Sequence, residues 1–133
     1  MAAPTTTAMD LNDGIIEAGV FESRLMTAAG ADTFLDNTLV AHDTSTLKIV
    51  PYVKGGSTNG NGVVYGLLTK GFVAAGAGDT PVRIMKGGKV LTDKTVIDAD
   101  GTSTNIDNAV KFLCADKGLH LVDSTSLHVA DNT

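Results

Sequence analysis

Tryptophan is absent from this chain, and cysteine occurs once, at Cys114. A lone thiol has no intrachain partner for a disulfide and cannot build a thiolate metal cluster. Four Phe and two Tyr are the only aromatic residues, so the core has to be made of Val, Leu, Ile and Ala. Runs of Lys or Arg are missing as well. Ten basic side chains face fifteen acidic ones, for a net charge of -5. A phosphate-binding surface needs clustered positive charge, so direct nucleic-acid binding is not expected. No apolar run approaches the ~18 residues that would indicate a membrane-spanning helix. The N-terminus lacks a charged segment followed by an apolar one, so a secretory signal is not expected either. These absences point to synthesis in a reducing cytoplasm.

What remains is a 133-residue chain that is 43% hydrophobic, with fifteen Gly. That is enough to bury one core without covalent staples, interrupted by many turns. The expected organising stretch is Leu47–Tyr52, a loop, then Gly62–Leu68. Both ends are rich in the β-branched and aromatic residues that suit a pleated surface. The intervening Lys54–Asn61 cannot pack a core and reads as an exposed loop. Pro51 removes a backbone donor, so the first strand should stop or lie at an edge there.

Residues 1–13 carry little periodic apolar content and read as an arm. The following Gly14–Glu22 is irregularly apolar: it is either a short strand closing the domain or an adhesive part of the arm. Thr33–Leu35 and Leu39–His42 flank a turn at Asp36-Asn37. Asp43–Thr46 has the length of a hairpin connection into Leu47. Thr80–Met85 alternates, and Lys86-Gly87-Gly88-Lys89 reads as a second hairpin turn before Val90-Leu91. Thr95–Asp98 is a further short strand or the approach to a helix.

The helix is expected near Asn105–Lys117. Ile106, Ala109, Val110 and Leu113 fall at i, i+3, i+4 and i+7, and Thr104 with Asp107 has capping-box spacing. Gly118 suits a left-handed stop, and Leu119–Val122 can supply a last strand. Leu127 and Val129 are possible anchors in the polar tail.

The search for chemistry finds no convergent group. Neighbours on a strand point to opposite faces, so Asp43 is badly placed to orient His42. His120 and His128 are too widely spaced for a helical ligand pair, and Cys114 makes a weak third ligand. Asp98-Ala99-Asp100-Gly101 begins like a calcium loop, but Ala109 stands where the bidentate Glu is required. Gly60-Asn61-Gly62 and Gly76-Ala77-Gly78 lack the downstream residues of nucleotide-binding loops. Cys114, beside an apolar helical stripe, reads as a small buried hydrophobe. Neither a catalytic group, a metal site nor a cofactor is expected.

Val50-Pro51-Tyr52, the loop to Gly62 and Val64–Leu68 together resemble the lambda-type head decoration proteins of tailed bacteriophages. Thr80–Met85 and Gly88-Lys89-Val90 resemble that family's following strand pair, and the polar N-terminal arm fits too. The resemblance covers residues 33–118, and departs from the family at Asn37-Thr38, where a glycine is usual, and in a longer tail after Gly118. It implies a mainly β (β-rich α+β) single domain with a β-barrel-like or β-tulip body, one helix in the C-terminal half and an extended N-terminal arm. It also implies a homotrimer on the outer capsid surface of the virion. There it would bind the major capsid protein and stabilise an expanded head without touching DNA. Residues 1–24 would be the capsid-binding arm and 25–133 the body, with Ile15, Ile16, Val20 and Phe21 as attachment residues. The same composition would serve a tail-tube, head-completion or fibre-associated module, or a small ligand-binding or enzymatic β domain.

Overall fold

The longest elements are two 14-residue strands that the sequence does not announce as such. In the computed structural model, residues 14–123 are described. The remainder of the expected arm and the tail positions Leu127, His128 and Val129 lie outside them. In chain order the elements are β1 (Ile15–Ala28), β2 (Asp32–Phe34), β3 (Thr38–His42), β4 (Ile49–Pro51) and β5 (Gly66–Leu68). There follow β6 (Phe72–Ala74), β7 (Gly78–Leu91), a 3-10 turn at Thr92–Lys94, α1 (Asn108–Asp116) and β8 (Leu119–Val122).

Strands β1, β4, β3, β5 and β7 are neighbours in that order, and β7 pairs back onto β1, closing a five-stranded barrel. Closure removes most free strand edges. The β1–β7 ladder is antiparallel and runs from Ile15↔Val90 to Ala28↔Gly78. Its register skips at Ile16 and Gly19 on β1 and at Lys86 on β7. These are bulges, which bend a strand and re-aim a side chain. Strand β8 runs parallel to β7 outside the barrel, from Gly88↔Leu119 to Leu91↔Val122.

Two apolar layers result, one on each face of the sheet. All five barrel strands contribute to the interior: Met26 and Ala28 from β1, Ile49 from β4, Val40 from β3, Leu68 from β5, Val82 and Ile84 from β7. Phe34 and Ala74, from the separate β2–β6 ribbon, join this layer, and the Phe34 and Phe72 rings lie 5.0 Å apart at that end. The outer layer joins Leu39, Leu67, Met85, Val90 and Leu119 to Tyr52, Val64, Ile97, Ile106, Val110 and Cys114. The alternation of strand side chains explains the division: Leu67 pairs with Met85 in the outer layer, and Leu68 with Ile84 in the inner.

Several expectations need correction. The two ends of the expected organising stretch, β4 and β5, both flank β3, which is therefore the centre of that part of the sheet. The Asp43–Thr46 hairpin does form, with Asp43 Oδ1 accepting from the Ser45 and Thr46 amides. Lys86–Lys89 does not turn. Gly87 and Gly88 lie inside β7. On the paired strand a Cβ at Gly19 would press on the Gly87 carbonyl at 3.2 Å, so the glycine on β1 lets the two backbones approach there. Residues 95–98 contribute only the isolated bridges Thr38↔Val96 and Ile97↔Thr102. Ile15–Arg24 belongs to β1, so the expected boundary after residue 24 falls within a strand.

The helix lies where expected but is rotated. Its buried face is Ile106, Val110 and Cys114, at i, i+4 and i+8, while Leu113 is half-buried and Ala109 exposed. Asp107, not Thr104, is the N-cap, accepting from the Val110 amide at 3.1 Å. Thr104 is occupied by Thr102, and Asn105 by Asp100, in the turn before it. Gly118 has φ 85, the left-handed stop the sequence indicates. Val110→Ala should therefore cost about 2 kcal/mol through lost burial and a small cavity. Phe112→Ala, at a residue 71% exposed, should cost less than about 0.5 kcal/mol. Urea midpoints of the two variants check the rotation.

Candidate functional site

Two features among the described residues bear most on function: a polar mouth at one end of the barrel and an open edge on β1. The mouth forms because Glu22 and Arg24, two apart on β1, pair with Ile84 and Val82 and so share the barrel's inner face. Tyr65, entering β5, packs on the interior layer and caps it. Its Oη donates to Glu22 Oε2 at 2.7 Å, and the Arg24 Nε also donates to that carboxylate. Bulged out of the ladder, Lys86 places Nζ 3.3 Å from the Tyr65 ring centroid and donates to the Tyr65 carbonyl oxygen at 2.8 Å. The His42 ring stands 5.4 Å from that of Tyr65.

The electrostatics follow from these contacts. The hydrogen bond from Tyr65, then that from Arg24, holds the Glu22 carboxyl below its ordinary range. Burial, then the same carboxylate, pushes the Tyr65 hydroxyl up. Burial lowers the Lys86 ammonium, with Lys117 adding to the effect and Glu22 opposing it. The arrangement is a clasp that ties β1, β5 and β7 together across the barrel opening. A carboxyl that is more acidic when folded adds stability above its unfolded range, and this is lost as pH falls through the folded value. Acidification should thus weaken the protein, and Glu22→Gln should flatten that dependence. Urea midpoints of both proteins between about pH 7 and pH 3 check it.

The open edge comes from the unequal lengths of the strands. Strand β1 pairs with β7 throughout, but on its other side meets only β4, through Met26↔Ile49. From Ile15 to Leu25 no strand among the described residues pairs along that side. Such an edge presents free backbone donors and acceptors to another extended chain. Val20 is 58% exposed and Leu25 46% exposed along it.

The four expected attachment residues all lie on β1, with different surroundings. Ile15 and Phe21 pack against the outer core, and Phe21 also lies under the Arg83 guanidinium, 4.2 Å from its ring centroid. Ile16 is half-buried at a bulge. Of the four, Val20 alone is largely exposed.

The positions considered for chemistry stay apart. The Asp43 carboxylate caps its own turn and does not orient His42. His120 is exposed on β8. Cys114 is buried, and burial pushes its thiol up to about 12. Among the described residues no three His, Cys, Asp or Glu side chains are grouped to hold a metal ion. Asp98–Gly101 is a tight turn in which the Asp100 and Gly101 amides both donate to the Ile97 carbonyl. Sequence reasoning missed the clasp because Glu22 and Tyr65 are far apart in the chain. Its local signal was two opposite charges, Glu22 and Arg24, two residues apart and so on one face of β1. No protein-family model matches this chain, and no curated protein is similar to it.

Proposed function

We propose that this chain is a structural virion protein that sits as a homotrimer on the outer surface of an expanded phage capsid. It binds the major capsid protein and stabilises the head against internal DNA pressure, with no catalytic step. The resemblance over residues 33–118 supplies the class. The observation that carries the reading is the open β1 edge with Val20 and Leu25 exposed along it. An extended segment of a capsid subunit added there would gain backbone hydrogen bonds for affinity and side-chain contacts for specificity. Three such edges in a trimer make the later contacts intramolecular and so raise the total affinity. The clasp at the barrel mouth supports a structural role, since its carboxylate and ammonium are engaged by their neighbours.

The test adds the purified protein to emptied, expanded heads and images them by cryo-electron microscopy. Three-fold clusters on the outer surface are expected, and isolated monomers at scattered sites would overturn the proposal. Val20→Lys with Leu25→Lys places charges on the edge, a device that blocks strand addition. That variant should keep its folding midpoint and bind heads at least about tenfold more weakly. Unchanged affinity would place attachment elsewhere on the body.

A further inference from the structure

The exposed loop after β4 carries Asn-Gly twice, at Asn59-Gly60 and Asn61-Gly62, in two different settings. Glycine has no Cβ to hinder its own amide nitrogen, which makes this dipeptide prone to intramolecular attack on the asparagine side chain. Attack requires the two groups to be free to meet. At Asn59 they are. The residue is exposed, its side chain makes no hydrogen bond among the described residues, and the Gly60 amide donates none. Among the described residues the dipeptide is tied by two backbone bonds that leave both reacting groups free, from the Thr44 amide to the Asn59 carbonyl at 2.9 Å and from the Val63 amide to the Gly60 carbonyl at 3.1 Å.

Asn61 is held at several points. Its amide donates to the Thr58 carbonyl at 3.0 Å, its carbonyl accepts from Val53 at 2.8 Å, and its Oδ1 accepts from the Thr58 amide at 3.1 Å. The following glycine is locked as well, since a Cβ on Gly62 would overlap the Gly56 carbonyl oxygen. The two backbones are in close contact there, so the Gly62 nitrogen cannot swing toward the Asn61 side chain without opening the loop.

We propose that Asn59 is a site of spontaneous backbone modification and that the fold protects Asn61 from it. The Gly60 nitrogen forms a bond to Asn59 Cγ, the bond from Cγ to the side-chain nitrogen breaks, and ammonia leaves with the proton from the Gly60 amide. Water then opens the cyclic imide at either carbonyl, giving aspartate or isoaspartate. Both products add one negative charge to the loop. In isoaspartate the main chain runs through Cβ and Cγ, so the carbonyl that now accepts from Thr44 becomes a free carboxylate. Its neighbours Thr44 and Gly60 line a cavity of about 220 Å³ that His42, Tyr65 and Lys117 also line. This inference stands independently of the capsid role.

The experiment incubates the folded full-length chain at physiological temperature and mildly alkaline pH, then maps its peptides by chromatography and mass spectrometry. A parallel sample is kept in denaturant. Conversion at Asn59 should exceed that at Asn61 by at least about fivefold in the folded protein, because reaching Asn61 requires a local opening. In denaturant the two should convert at similar rates. Asn59→Gln, which lengthens the ring to be closed, should abolish the main product while leaving the slow Asn61 conversion. Equal conversion of the two sites in the folded protein, or faster conversion at Asn61, overturns the proposal. So does an unmodified Asn59 in the folded chain, whatever happens in denaturant.

Discussion

Deleting residues 2–21 should abolish folding, whereas deleting residues 2–13 should leave a cooperatively folded protein. The first deletion removes half of β1, from Ile15 to Phe21, and with it the ladder from Val90 to Met85. It also takes Ile15 and Phe21 off the outer core, and leaves the C-terminal half of β7 with an unpaired edge. Both side chains are half-buried, so each contributes about half of the roughly 1.5–3 kcal/mol of a fully buried one, against a total stability of only about 5–15 kcal/mol. Losing both together with several ladder bonds exhausts much of that margin. Near-ultraviolet circular dichroism and urea unfolding of the two truncations decide the matter. A cooperative transition in the longer deletion would mean that the barrel closes without the N-terminal half of β1.

Gly71→Ala should destabilise the protein by about 3 kcal/mol, the upper part of the overpacking range. Gly71 lies between β5 and β6, where the chain crosses the turn that follows β2. A Cβ there would overlap the Phe34 carbonyl oxygen and stand 2.7 Å from the Leu35 carbonyl carbon and 2.8 Å from the Asp36 nitrogen. All three are backbone atoms, so no rotamer change relieves the contact. The same approach lets the Gly71 amide donate to Asp36 Oδ1 at 2.6 Å, a bond the variant would stretch or lose. Gly76→Ala is the matched control. It meets nothing within 4 Å, so it should be neutral or stabilise by up to about 1 kcal/mol through the unfolded chain. Thermal or urea midpoints of the pair separate crowding from the general effect of losing a glycine.

Local patterns carried much of this fold. Leu39–His42, the four residues from Asp43 and the run to Pro51 contain a hairpin in their spacing alone, and Gly118 marks the helix end by its need for positive φ. What could not be read was anything set by a partner distant in the chain. Val20 and Phe21 are interrupted by Gly19 and look irregular, because the bulges that keep β1 in register answer to β7. Gly87 and Gly88 look like a turn for the same reason: the pairing with Val20 and Ala18 that keeps them extended within β7 comes from a strand the local window does not contain. The helix stripe was ambiguous because Phe112, Leu113 and Cys114 are consecutive, and only the outer face of β3, β5 and β7 selects Cys114. The clasp was the least legible, since Glu22, Tyr65 and Lys86 meet only after the barrel has closed.

The long β1–β7 ladder has a consequence for the order of events on the ribosome. Strand β1 is made early, and its main partner begins only at Gly78. At ordinary synthesis rates of about 5–20 residues per second, β1 waits several seconds with both edges bare. Contacts this distant in sequence also form slowly once both strands exist, because the loop must close before any pairing rewards it. A nascent chain therefore exposes Ile15–Ala28 to neighbouring chains on the same message for longer than any other segment. Gly19 and the charges of Glu17, Glu22 and Arg24 interrupt that segment's apolar run, and such interruptions discourage strand-to-strand aggregation during the wait.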